Sequence, residues 1–81
     1  MEVKRVISVY DKVKDNLIEE VEIDIPVDVL RKILNVGSDD FNVFKVYPIT
    51  EDLLEKFIAI VPDLSKLSFD KVDLFYECFQ N

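Results

Sequence analysis

Carboxylates are the one chemically active group that this sequence supplies in quantity. Its 81 residues hold seventeen Asp and Glu against ten Lys and Arg, no His and a single Cys, for a net charge of −7. Paired carboxylates across a cleft would suit glycoside hydrolysis, where one acts as acid and the other as base or nucleophile. That chemistry needs a pocket that raises one carboxyl's pKa, and a domain this small has little room for one. Most Asp and Glu here fall instead at helix starts or alternate outward along strands. Cys78 as a nucleophile needs a base to form thiolate, and there is no His to serve. The same composition removes the usual zinc and copper ligand sets. Asp39-Asp40 and Asp70 with Asp73 lack the alternating oxygens of a calcium loop, and one glycine, Gly37, is too few for a phosphate-cradling loop. The sequence predicts no enzyme, no metal site and no cofactor.

The charge is concentrated in one stretch. Between Leu17 and Asp28 stand five carboxylates, Glu19, Glu20, Glu22, Asp24 and Asp28, with no Lys or Arg among them. Glu20, Glu22 and Asp24 lie two apart and so project from one face of a strand, where their repulsion costs a few tenths of a kcal/mol per pair. Such a row either protects an exposed strand edge from aggregation or forms a contact face for a basic partner. On the second reading these five residues bind the partner. Direct nucleic-acid or anionic-membrane binding is not expected of so acidic a chain, because phosphates repel it. A second patch, Glu51, Asp52 and Glu55, is accounted for by helix capping. Tyr10, Tyr47, Tyr76 and Phe79 are the aromatic candidates for interface anchors or for core.

The elements that must position these groups follow from pattern. Val3 to Tyr10 is β-branched and aromatic, a strand covered in part on both sides, with Ile7 and Val9 on one face and Val6 and Tyr10 on the other. After the polar stretch Asp11 to Asn16, Leu17 to Ile25 alternates, with Leu17, Val21, Ile23 and Ile25 on one side, which completes a β-hairpin. Pro26 to about Asn35 reads as a helix, with Pro26 in the first turn and Gly37 as a left-handed C-cap. Phe41 to Tyr47 reads as a strand ended by Pro48. Thr50 caps a second helix with a buried stripe of Leu53, Leu54, Phe57, Ile58 and Val61, ended by Pro62. Asp63 to Ser68 is a loop or single turn, and Phe69 to Phe79 is the last strand, with Cys78 packed as a small apolar residue. The order is ββαβαβ: an α+β two-layer sandwich of about four mainly antiparallel strands with two helices on one face.

At this length residues 1–81 make one domain, able to bury about 60% of the unfolded surface. An unpaired Cys78 suits a reducing, cytoplasmic setting. No run of 18 apolar residues suggests a membrane span, and residues 1–10 lack the pattern of a signal peptide.

The segments Val9-Tyr10-Asp11, Leu17-Ile18-Glu19-Glu20-Val21-Glu22-Ile23, Tyr47-Pro48-Ile49-Thr50-Glu51 and Phe75-Tyr76-Glu77 span most of the chain. Together they resemble small acidic bacterial proteins found beside polymorphic toxins, among them immunity proteins of contact-dependent growth inhibition systems. The resemblance implies a cytoplasmic protein that neutralises a cognate toxin domain, often a nuclease, by tight non-catalytic binding. No binding residue transfers from that resemblance, because such interfaces diverge with each toxin. The alternative is a small structural or regulatory protein that forms homo- or hetero-oligomers through a strand edge.

Overall fold

β-branched residues at Val3, Val6, Ile7 and Val9 hold the first strand, β1 (Val3–Asp11), in the computed structural model, which describes residues 3–80. It pairs on one side with β2 (Leu17–Glu22) and on the other with β4 (Val72–Gln80), and β4 pairs in turn with β3 (Tyr47–Ile49). The result is one antiparallel sheet in the order β2-β1-β4-β3. Two helices, α1 (Val27–Leu34) and α2 (Glu51–Ile60), pack on one face, so the two-layer α+β sandwich and the ββαβαβ order hold.

The pleat divides the sheet residues cleanly. Ile7 and Val9 of β1, Val72, Leu74 and Tyr76 of β4 and Ile49 of β3 face the helices and meet Leu30, Leu34, Leu54 and Phe57 in the core. Those helix residues belong to the apolar stripes that the sequence predicts. At about 25 cal/mol per Å2 of apolar surface removed from water, this shared layer is the main favourable term in folding. Thr50 caps α2 as expected, its Oγ1 accepting from the Leu53 N–H at 3.3 Å. Cys78 is half-buried against the core as a free thiol. No helix among the described residues is long and apolar enough to cross a membrane.

Four sequence expectations are corrected. Gly37 is not the left-handed cap: its φ is −71°, and Asn35, with φ 54° and ψ 52°, holds that conformation at the end of α1. Asn tolerates the left-handed region because its short polar side chain bonds locally, so α1 ends before reaching the glycine. A Cβ at Gly37 would stand 2.8 Å from an Asp39 carboxylate oxygen, which gives the glycine a reason other than its φ. Phe41 to Tyr47 is not a strand; only Tyr47 to Ile49 pairs, and Pro48 lies inside that strand rather than beyond it. The pairs Tyr47↔Tyr76 and Ile49↔Leu74 turn their backbone groups toward β4, so the Pro48 nitrogen faces away from the sheet and its missing N–H breaks no ladder bond. The last strand begins at Val72, since Phe69 to Lys71 forms a 3₁₀ turn. Leu17, finally, does not join Val21 on the helix side. A register shift at Val9/Tyr10 pairs Leu17 with Tyr10 and leaves it exposed.

Candidate protein-binding face

Among the described residues the sheet's second face carries no helix, and its residues follow from the same register. β1 contributes Lys4, Val6, Ser8 and Tyr10, and β4 contributes Asp73, Phe75, Glu77 and Phe79. β2 adds Glu20 opposite Ser8 and Glu22 opposite Val6. Directly opposed residues share a face, so Glu22 and Glu77 flank Val6 from either side, about 10 Å apart across two strand spacings. Glu20 and Glu22 stand about 7 Å apart along β2, where two full charges in water repel by about 0.6 kcal/mol. The three carboxylates thus form a triangle over the middle of the face.

Beneath them, Val6 and Ser8 are fully buried although no helix lies on this side. The Ser8 hydroxyl donates a hydrogen bond to the Glu77 carboxylate. A hydroxyl on a carboxylate resembles a nucleophile and its base, but Ser8 has no surface for a substrate to reach. The bond orients Glu77 instead. Beside the triangle, Tyr10 meets Phe75 edge to face with ring centroids 5.8 Å apart, and Phe79 is 42% exposed. A flat surface with a carboxylate centre and an aromatic border suits a partner that offers cations and apolar groups together.

The five acidic residues singled out from the sequence do not all meet here. Glu20 and Glu22 do, and Asp24 continues their line just past the end of β2, exposed between buried Ile23 and Ile25. Glu19 points to the opposite side of β2, where the Lys66 ammonium sits 2.8 Å from it and has its own pKa raised by that bond. Asp28 lies exposed in the first turn of α1, in the helix layer, where its charge complements the helix dipole. Glu77, Ser8 and Phe75 were not legible as site residues, because only the β1–β4 register brings them beside Glu20 and Glu22. Of the four aromatic candidates, Tyr10 and Phe79 border the face, whereas Tyr76 is core and Tyr47 is half-buried.

A second organised region is the segment from Gly37 to Val46. Asp40 is buried at its centre and accepts from the backbone N–H groups of Phe44 and Lys45, at 2.9 and 3.1 Å, and from the Tyr47 hydroxyl at 2.5 Å. Burial works to raise the Asp40 pKa, yet those three donors outweigh it and the net shift is downward. Burial, reinforced by Asp40, pushes the Tyr47 hydroxyl up to about 12. Val43 is fully buried with φ 56°, a left-handed conformation that β-branched residues strongly disfavour. Its carbonyl accepts from Arg5 at 3.1 Å and from the Tyr76 hydroxyl at 2.8 Å. Arg31 stacks on exposed Phe41 at 4.1 Å and donates to its carbonyl at 2.9 Å. This network fastens the segment to both layers, and that explains why it does not extend as a strand.

A family model, Domain of unknown function (DUF7683), matches residues 4–77. No curated protein and no solved structure matches the chain.

Proposed function

This chain belongs to the DUF7683 family, a domain of unknown function, and we propose, from the charge and shape of its sheet face, that it is an immunity-type protein that neutralises a basic bacterial toxin domain, a nuclease in the first instance, by tight non-catalytic binding in the cytoplasm. The observation that carries this reading is the helix-free sheet face on which Glu20, Glu22 and Glu77 converge beside Tyr10, Phe75 and Phe79. A nuclease must present cations to phosphates, and a compact acidic face occupies the same cations. Charge of this kind raises the encounter rate, and the aromatic border supplies apolar area once the partners touch. Asp24 extends the acidic line, while Glu19 and Asp28 contribute only long-range field.

The test starts from the gene immediately upstream: a large secreted protein with a basic carboxy-terminal domain favours the reading and its absence counts against it, and that domain is then co-expressed with this chain. Protection from its toxicity is expected, with an on-rate that falls steeply with added salt. Changing Glu20 and Glu22 to Gln and Asp24 to Asn together should slow association by about tenfold or more at low salt. An unchanged on-rate would remove this face from the interface.

A second reading, oligomerisation through the β2 edge, is favoured by Leu17 and Ile18, which are 46% and 55% exposed on that strand. Sedimentation over a wide concentration range separates the two readings. A stable homodimer that buries β2 would replace the first with the second.

A further inference from the structure

The sheet ends in two edges of different character. At β3 the edge is three residues long, and its middle residue, Pro48, has no N–H to offer outward. At β2 it is six residues long, and its phase is fixed by the Ile23 N–H, which donates to the Arg5 carbonyl at 2.9 Å. Antiparallel ladders alternate, so Val21 and Glu19 also turn their backbone groups toward β1, and Glu20 and Glu22 turn theirs away from the sheet. The two residues with outward backbone groups are therefore the two that place carboxylates on the helix-free face.

We propose that β2 accepts an added strand from a basic protein partner, with Lys or Arg at the two positions, two residues apart, that lie opposite Glu20 and Glu22. The proposal rests on the acidic-face reading above and specifies how that face is engaged. Residues directly opposite across a ladder point to the same face with Cβ atoms about 5 Å apart, within easy reach of a cation. The residue between them falls on the helix side beside half-buried Val21, where a small apolar side chain fits. Main-chain hydrogen bonds then supply affinity and the alternating side chains supply specificity. A second copy of this chain is a poorer occupant. Two-fold antiparallel pairing of β2 with itself would set Glu20 opposite Glu22, or one of them opposite its own counterpart, with no cation in either strand.

The probes are two peptides of about eight residues and one composition, the first alternating Lys and Val and the second carrying its Lys in one block. Amide hydrogen exchange of the full chain is read at Glu20 and Glu22. The alternating peptide is expected to slow exchange at both amides by about tenfold or more, and the block peptide to leave them unchanged. Glu20→Pro deletes an outward N–H and spares the β1 ladder, so it should weaken the alternating peptide about tenfold beyond Glu20→Gln, which deletes only the charge. If Glu20→Pro does not fold, the exchange result on the unaltered chain decides. Salt-sensitive binding of both peptides without protection at Glu20 and Glu22 would overturn strand addition and leave the acidic face standing. Binding of neither peptide would count against both. Protection of these amides in the peptide-free protein that grows with concentration would assign the edge to a second copy.

Discussion

Asn35 and Val43 both hold left-handed backbone, for opposite reasons. Asn35 is an exposed helix terminus where that conformation costs little, and Val43 is held there by burial and by the bonds around Asp40. Asn35→Ala should cost about 1 kcal/mol in urea unfolding, while Gly37→Ala should stay within about 1 kcal/mol of neutral, because its φ suits any residue and the Asp39 carboxylate that the new Cβ would crowd is the end of an exposed side chain that can turn away. Val43→Gly relieves roughly 1 to 3 kcal/mol of strain but removes a fully buried side chain worth about as much or more, so net destabilisation is expected by the same measurement. Asp40→Asn loses acceptor capacity for three part-buried donors and should cost about 2 kcal/mol at neutral pH. Because the Asp40 pKa is lowered in the fold, its stabilisation is present above the unfolded carboxyl value and is lost as pH falls through the folded one. The variant should therefore lose less stability than the parent on acid titration of the unfolding midpoint. Asp11 and Asp39, also lowered by their donors, keep part of that slope in both proteins.

At the scale of elements, the helices were readable because their signals are local. The Thr50 cap and the Leu54 and Phe57 stripe lie within one or two turns, and Thr50→Ala should lower stability by about 1 kcal/mol with α2 still formed, as monitored by thermal unfolding and circular dichroism. β1, β2 and β4 were readable from alternation and β-branching for the same reason. The segment from Phe41 to Val46 was not, because its conformation is set by Arg5, Asp40 and Tyr76, residues far apart in sequence that gather only in the folded chain. The acidic sheet face was half legible. Glu20 and Glu22 are visible as a two-residue spacing, but Glu77 joins them only through the pairing of β1 with β4. Glu19 shows the converse: adjacency in sequence put it in the acidic run, and the pleat sent it to the other side, to Lys66.

For the molecule as a whole, two tyrosines join the loop region to the sheet. Tyr47 and Tyr76 have ring centroids 6.2 Å apart, and burial is the main cause that pushes both hydroxyls up to about 12. An unfolded tyrosine titrates near 10, so between about pH 10 and 12 the native state keeps protons that the unfolded chain has lost. Stability is then fully present below about pH 10 and falls as pH rises toward 12. Tyr47→Phe should show a shallower decline over that window when unfolding midpoints are compared across pH. Pro48, lastly, gives the sheet a handed valence. One edge lacks a donor at its middle position and the other presents two, so only the β2 edge is equipped for the strand addition proposed above. Under the strand-addition proposal, a partner captured at β2 closes a one-to-one complex, and the Pro48 edge offers no N–H at its centre for pairing a third molecule, so capture is not expected to seed a fibre.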